Sequence, residues 1–256
     1  MQAHTKTKNP VYLKAAENGV RHLLQAQNKA GGWPQFYPDS SGYHKHITYN
    51  DHAMIDVLWV MKYVATGQQH FEPLQKTLGT DAQKAVEKGI DCILKTQFYQ
   101  GTTLTVWCAQ HDSKTLQPAK ARAFELPSLS GNESVKILRF LMTIEQPSDA
   151  VKKAIHAGVA WLDAVRIKGI KIQDIADPNQ PKGKDRVVVP DSSSVLWARF
   201  YDLKTNQAFF VGRDSQPKNT LAEIENERRT GYAYYGTWPA RLIEKEYPEW
   251  VKKWGK

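Results

Sequence analysis

Three segments of this chain begin with glycine, carry an apolar residue four positions later, and lie about seventy residues apart. Residues four apart share one face of an α-helix, so each segment predicts a helix with an apolar face. One such helix cannot bury its face alone, and the regular spacing therefore predicts a repeated helical hairpin. The segments are GVRHLLQAQ at 19–27, GIDCILKTQ at 89–97 and GVAWLDAV at 158–165.

Further helices are predicted between these segments, and two of them open with asparagine followed by a carboxylate. Such residues at a helix start can accept hydrogen bonds from free backbone N–H groups and suit the helix dipole, so capping is one interpretation. The other interpretation is a set of carboxylates that face a shared site. The helices lie near 50–66, 131–144 and 220–230, and the pairs are Asn50-Asp51, Asn132-Glu133 and, later in its segment, Asn226-Glu227.

Long loops rich in aromatic residues connect the predicted helices, at 31–38, 103–112 and 186–190 followed by 196–201. Alternating runs within them predict a few short strands, and long loops on a helical scaffold are commonly functional. The 256 residues, 41% of them apolar, are enough for one large core, so a single domain over 1–256 is expected. The predicted fold is mainly α, with inner and outer helices around an axis and the loops at one end.

The formal net charge of +9 favours an anionic partner, because a positive field concentrates acidic ligands. The basic residues are scattered, without a tract or motif typical of nucleic-acid binding, so no nucleic-acid partner is expected. A lysine-rich solvated surface is the alternative explanation of the charge. No run approaches the roughly 18 apolar residues of a membrane span, so no membrane association is expected. Cys92 and Cys108 are too few for a disulfide scaffold.

The chain lacks the common catalytic signatures, including phosphate-binding glycine loops, the GxSxG elbow and HExxH. Carboxylates, histidines, arginines and aromatics remain as candidates. Carboxylates mixed with arginines indicate a calcium-dependent site for a polyanion, because calcium prefers oxygen ligands and guanidinium groups bind carboxylates bidentately. Trp33 and Trp107 could stack on sugar rings or belong to the core. The polar candidates are Asp51, His52, His111, Asp112, Arg122, Glu125, Arg213, Asp214, Arg228 and Arg229.

Several strings together resemble the family 10 polysaccharide lyases, which are pectate lyases. The resemblance runs over nearly the whole chain. The strings are GGWPQFYP at 31–38, GYHKHITYNDHAM at 42–54, CILKTQ at 92–97, TVWCAQHD at 105–112, ARAFE at 121–125, LSGNESV at 129–135, RFLM at 139–142, LWARFYD at 196–202, GRD at 212–214 and ERRTGYAYYG at 227–236.

The resemblance implies an (α/α) toroid that cleaves de-esterified polygalacturonate by β-elimination with calcium as cofactor. It implies a secreted or periplasmic protein that acts on an acidic polysaccharide, and a monomer is expected. Asp51 is then a metal ligand, Arg122 the base that removes the proton, and Arg213 a group that holds a substrate carboxylate. The remaining substrate-binding candidates are His111, Asp112, Trp33 and Arg228. A structural salt bridge between Arg122 and Glu125 is the alternative to the catalytic role of Arg122.

One departure from the family pattern concerns the region ahead of GGWPQ. Family members carry a further segment there, including a helix that opens with an acidic motif and contributes a calcium-site carboxylate. We therefore expect this chain to bind calcium less tightly. Two other functions stay open: an impaired module that binds oligogalacturonides without cleaving them, and a toroid glycoside hydrolase that uses Asp51 and a second acid.

Overall fold

The computed structural model describes residues 1–255. The α-helices are α1 Gln2–Thr7, α2 Pro10–Ala26, α3 Ala53–Thr66, α4 Glu72–Thr96, α5 Glu133–Met142, α6 Asp149–Ala164, α7 Asn226–Gly231 and α8 Tyr247–Trp254. The strands are β1 Ile47–Thr48, β2 Tyr99–Gln100, β3 Thr103–Leu104, β4 Gln110–His111, β5 Leu129–Ser130, β6 Ile167–Ala176, β7 Lys184–Ala198, β8 Phe200–Tyr201, β9 Phe210–Val211, β10 Pro217–Lys218 and β11 Tyr235–Gly236. Short 3₁₀ turns cover Asn50–His52 and Leu221–Glu223, and a π-turn covers Leu242–Glu246. The mainly helical prediction is confirmed.

The three glycine-led segments lie in the long helices α2, α4 and α6, as their periodicity predicts. The helices expected near 50–66 and 131–144 form as α3 and α5. The segment near 220–230 is only partly helical, because a 3₁₀ turn and the six-residue α7 replace the expected continuous helix. No helix within residues 1–255 combines the length and apolar character needed to cross a membrane.

The chain divides into two compact units, and the first contains Met1–Thr96 with His111–Gln117. Its centre is the packing of α3 against α4. A methyl group added at Gly89 of α4 would come 2.5 Å from Cδ2 of Leu58 in α3, so glycine permits this close approach. Leu58, Met61 and Ile93 are almost completely buried, and burying side chains of this size contributes about 1.5–3 kcal/mol each.

The second unit contains Gln97–Gln110 and the chain from Pro118 onward. Here α5 packs against α6 in the same manner. A methyl group at Gly158 of α6 would come 2.8 Å from Cδ2 of Leu138 in α5. The glycine-led segments of α4 and α6 therefore mark two helical hairpins. In each hairpin, a leucine of the preceding helix packs against the glycine.

A tryptophan side chain bonds to the glycine-bearing helix in each unit. In the first unit, Nε1 of Trp33 donates to the carbonyl oxygen of Leu23 at 2.7 Å. In the second unit, Nε1 of Trp197 donates to the carbonyl oxygen of Leu162 at 2.6 Å. Leu23 and Leu162 each lie four positions after a glycine of the repeat. The repeat thus includes a buried tryptophan that binds the same position of the helix.

The second unit also contains a long hairpin of β6 and β7, which is a departure from the expected few short strands. These strands have 10 and 15 residues, pair antiparallel, and form a three-stranded sheet in the order β11-β7-β6. The register shifts between Lys168 and Ile170, which marks a bulge. Pro190 and the run Asp191–Ser194 look like loop residues in the sequence, but they lie in β7 on this hairpin. The prediction of loops at 186–190 and 196–201 was therefore wrong, since β7 and β8 contain nearly all of these residues.

Candidate active site

Three arginine side chains surround the ring of Phe124 in the second unit. The guanidinium carbons of Arg122, Arg213 and Arg228 lie 5.0, 5.4 and 3.8 Å from the ring centroid. Phe124 itself is buried. The negative face of an aromatic ring attracts cations, so this ring holds together three charges that would otherwise repel each other. The result is a concentrated positive site suited to a carboxylate-bearing ligand.

Arg122 forms a forked ion pair with Glu125. Nε of Arg122 donates to Oε2 of Glu125 at 2.8 Å and Nη2 donates to Oε1 at 2.5 Å. The Glu125 side chain is 2% exposed, whereas that of Arg122 is 40% exposed. The salt bridge considered from the sequence therefore exists. It does not exclude catalysis, because the carboxylate is buried behind a guanidinium group that solvent still reaches.

Arg213 is the most exposed of the three arginines, with 58% of its side chain accessible. Its Nη2 lies 3.1 Å from Oε1 of Glu227, and this hydrogen bond raises the pKa of Arg213. The same contact lowers the pKa of Glu227. The backbone N–H of Arg213 donates to Oε1 of Glu225 at 2.9 Å, and Gly212 leaves room for that carboxylate. Arg213 is thus fixed at its backbone and accessible at its charged end.

Arg228, predicted to bind substrate, is buried instead. Only 8% of its side chain is exposed, and its guanidinium carbon lies 4.9 Å from the ring centroid of Tyr232 as well as against Phe124. Tyr232 is also largely buried, and this burial raises the pKa of its phenol. The prediction of direct substrate contact is therefore corrected. Arg228 supports the Phe124 ring from inside the unit.

Asp51 lies in the first unit on a conformationally unusual stretch of backbone. Asp51 has φ 50° and ψ 22°, and His52 has φ 69° and ψ 12°, so two consecutive non-glycine residues are left-handed. Each such residue costs on the order of 1–3 kcal/mol and tends to occur at functional sites. The residue is exposed, while the neighbouring Asn50 is buried and donates from Nδ2 to Oδ2 of Asp51 at 3.2 Å.

Helix capping, the other interpretation of the asparagine-carboxylate pairs, is wrong for Asn132, whose side chain makes no cap bond at the start of α5. Asn50 is not at a capping position, because the N-cap of its 3₁₀ turn is Tyr49 and that of α3 is His52. In the second unit Ser130 caps α5, because its hydroxyl accepts from the N–H groups of Asn132 and Glu133 at 3.2 and 3.1 Å. Glu133 is buried and accepts from Nη2 of Arg199 at 2.6 Å.

His111 and Asp112 were expected to contact substrate, but the structure uses both within the first unit. His111 is fully buried, and its Nδ1 lies 2.9 Å from the carbonyl oxygen of Leu116. Oδ1 of Asp112 accepts from the backbone N–H groups of Lys114 and Thr115, and these bonds lower the pKa of Asp112. The prediction for His111 is therefore corrected to a structural role. Asp112 has a structural role in its loop as well, but its side chain is 33% exposed, so its contact with substrate stays a prediction.

A second loop in the chain supports this assignment of Asp112. The pattern DxKTxQ occurs at 112–117 and again at 202–207. In the second copy, Oδ1 of Asp202 accepts from the N–H groups of Lys204 and Thr205 at 2.9 and 2.8 Å. Backbone N–H groups stabilise the ionised carboxylate and lower the pKa of Asp202 too. The aspartate of each copy thus builds its own loop.

Trp33 and Trp107 were considered as sugar-stacking residues, and both are buried. The stacking prediction for Trp33 is therefore wrong, because its ring faces the core and its N–H binds Leu23. The exposed aromatics of the same loop are Phe36 and Tyr37, with 52% and 43% of each residue accessible. Nothing in the string GGWPQFYP distinguishes buried from exposed rings, since all three aromatics lie within five residues.

Comparison with known proteins decides the family. The sequence profile described as pectic acid lyase matches residues 1–243. The chain belongs to the pectic acid lyase family. Its fold resembles the family 10 polysaccharide lyase from Cellvibrio cellulosa, with a TM-score of 0.86 and 36% sequence identity over 98% of this chain and 76% of that one.

An alanine mutant of the same Cellvibrio cellulosa enzyme, in complex with trigalacturonic acid, gives a TM-score of 0.86 and 36% identity. That match covers 99% of this chain and 77% of the mutant enzyme. A search of curated proteins gives no match. Membership of the pectic acid lyase family confirms that this chain is a lyase, and the structural matches confirm the predicted fold class.

Proposed function

We propose that this member of the pectic acid lyase family cleaves de-esterified polygalacturonate by β-elimination and releases 4,5-unsaturated oligogalacturonides. The observation that carries the proposal is the pair of accessible arginines on one phenyl ring, Arg122 and Arg213. A galacturonide residue brings a carboxylate next to the proton that must be removed. One guanidinium group can bind that carboxylate while the other acts on the neighbouring carbon.

In this proposal Arg213 binds the C6 carboxylate of the galacturonide and Arg122 takes the C5 proton. The pair of electrons from the C5–H bond forms the C4–C5 double bond as the C4–O bond breaks, and the departing oxygen takes up a proton. Positive groups held in place at the carboxylate stabilise the enolate-like charge that develops there. Arginine is protonated in nearly all protein settings because its pKa is above about 12, so the reacting species is its small neutral fraction.

Calcium is the proposed cofactor, with Asp51 as a ligand. The described residues do not form a complete site, because no group of three His, Cys, Asp or Glu side chains in residues 1–255 could hold a metal ion. Calcium takes about 6–8 oxygen ligands, which one carboxylate cannot supply. When bound, calcium would neutralise substrate carboxylates. The proton transfer described above uses only arginine side chains.

The proposed partner is an acidic polysaccharide. The net charge of +9 and the arginines around Phe124 suit a polyanion, and the related enzyme was solved with trigalacturonic acid. Secretion or export to the periplasm follows from this proposal, because such a polymer lies outside the cell. We propose that the enzyme acts as a monomer, as expected for the family.

The proposal is tested by following the ultraviolet absorbance of unsaturated products from polygalacturonate, with calcium and then with a chelator. Arg122→Ala should reduce kcat by about 10²–10⁴-fold, the usual contribution of a positioned base. Arg186→Ala is the matched control, because it removes another forked pair, with Asp174, on the β6–β7 hairpin. It should keep its activity.

Three outcomes would reject the proposal. Full activity in Arg122→Ala would remove its assigned base. Saturated products would indicate a glycoside hydrolase. Binding of oligogalacturonides in calorimetry without any product would indicate a module that binds but does not cleave.

A further inference from the structure

We propose that Glu125 is a positioning residue, which fixes the guanidinium group of Arg122 in the orientation that proton removal needs. This inference rests on the proposed function, in which Arg122 is the base. It concerns a residue that acts through Arg122 and does not itself touch the substrate.

Two N–H groups of Arg122 donate to the two oxygens of one carboxylate, at 2.8 and 2.5 Å. Such a fork fixes both the plane and the rotation of a guanidinium group, which a single bond would leave free. Because Glu125 is buried and Arg122 is partly exposed, the fork holds the guanidinium group from its inner side.

The backbone closes a compact turn around the same pair. The N–H of Glu125 donates to the carbonyl oxygen of Arg122 at 2.9 Å. The N–H of Ala121 donates to the carbonyl oxygen of Glu125 at 3.0 Å. The N–H of Arg122 also donates to Oε2 of Glu125 at 3.2 Å. The spacing of base and carboxylate is therefore fixed within residues 121–125, so the position of Arg122 depends on Glu125.

Neighbouring charges also act on this pair. The hydroxyl of Tyr232 lies 3.4 Å from Oε1 of Glu125. Arg213 and Arg228 lie around the same Phe124 ring as Arg122 and repel its guanidinium group. Coulomb energy falls with distance, and Glu125 is in direct contact with Arg122, so its charge offsets this repulsion and holds Arg122 in place.

A purely structural ion pair would have the same distances, so the test must separate positioning from stability. The experiment determines kcat and KM of the enzyme on polygalacturonate, with a thermal melt of each variant. For Glu125→Gln we expect kcat to fall at least about tenfold, because the amide keeps the size of the side chain but cannot accept both N–H groups of Arg122, and misplacement of a catalytic group is costly.

KM should change less than about twofold, because uniform substrate binding is not affected. Glu125→Asp keeps the charge on a shorter side chain, so its kcat should lie between those of Glu125→Gln and the wild type. It also keeps the inference testable if a thermal melt shows that Glu125→Gln does not fold.

The matched control is Asp185→Asn, which breaks another forked pair in the second unit, between Asp185 and Arg229. It should lower the melting temperature and leave kcat at the wild-type value. Wild-type kcat in folded Glu125→Gln and Glu125→Asp would overturn the inference. If Arg122→Ala is inactive while both Glu125 variants have wild-type kcat, only this inference fails. If Arg122→Ala is fully active, the proposed function itself fails.

Discussion

The guanidinium carbon of Arg228 lies 3.8 Å from the centroid of the Phe124 ring, and both side chains are buried. Arg228 thus contributes a cation from inside the second unit, while Arg122 and Arg213 approach the same ring and stay accessible. The ring is a shared anchor for three charges. Its removal should affect both stability and the position of the two accessible arginines.

Phe124→Leu should lower the free energy of unfolding by about 2–4 kcal/mol, since it leaves a cavity and removes three cation–ring contacts. Urea denaturation measures the change. Phe36→Leu is the control, because Phe36 is half-exposed and should cost no more than about 0.5 kcal/mol. Equal effects of the two variants would contradict the assignment of Phe124 as an anchor.

The glycines of the repeat should differ in their tolerance of alanine. Gly19→Ala should raise the free energy of unfolding by about 0.5–1 kcal/mol, because it lies inside α2 with nothing within 4 Å of an added methyl group. Gly89→Ala should lower it by about 1–3 kcal/mol, because the methyl group would push Leu58 and Trp33. Thermal melts of the two variants should shift in opposite directions, and shifts in the same direction would disprove the close-approach argument.

The left-handed backbone at Asp51 predicts a difference between two substitutions that both remove the carboxylate. Asp51→Gly should be more stable than Asp51→Ala by about 1 kcal/mol or more, because alanine has the steric cost of this conformation and glycine does not. Chemical denaturation tests this. Both variants should need much more calcium for half-maximal activity, and an unchanged calcium requirement would exclude Asp51 as a ligand.

Trp33→Phe distinguishes a core role from sugar stacking. It removes the bond from Nε1 to Leu23 and leaves a small cavity, so it should cost about 1–3 kcal/mol of the free energy of unfolding. KM for polygalacturonate should stay at the wild-type value. A KM above the wild-type value, with an unchanged free energy of unfolding, would instead support sugar stacking by Trp33.

Asp185 should contribute to stability at neutral pH and lose this contribution in acid. The hydrogen bonds from Arg229 lower the pKa of Asp185 from 3.8 to about 2 in the folded protein. Stability from this pair is therefore complete above the unfolded value and decreases as the pH falls through the folded one. The melting temperature of Asp185→Asn should be below that of the wild type at pH 6, and the gap should narrow toward pH 2. A constant gap would contradict the ion-pair origin of the shift.

The sequence predicted the helical hairpins because helix periodicity is a local property. Glycines at 89 and 158 with an apolar residue four positions on are visible without any knowledge of tertiary contacts. Family strings indicated Arg122 and Arg213. Their shared contact with Phe124 could not be predicted, since it joins residues about ninety positions apart through ring packing that no local pattern encodes.

Burial explains the site predictions that needed correction. Trp33, His111 and Arg228 are residue types that occur at binding sites, but side-chain type does not reveal which way a side chain faces. The DxKTxQ loops are different, because both copies are visible in the sequence at 112–117 and 202–207. The repeated pattern itself predicts that Asp112 and Asp202 each hold their own loop together.

The β6–β7 hairpin lies between two fixed points of the repeat, the helix of Gly158 and the indole of Trp197. Trp33 lies 14 positions after Gly19 and Trp107 lies 18 positions after Gly89, whereas Trp197 lies 39 positions after Gly158. The additional length is the hairpin, added where the other copies have a short connection. This position therefore offers a natural place for protein engineering: the hairpin can be shortened, exchanged or replaced by a reporter while Trp197 still binds the carbonyl of Leu162.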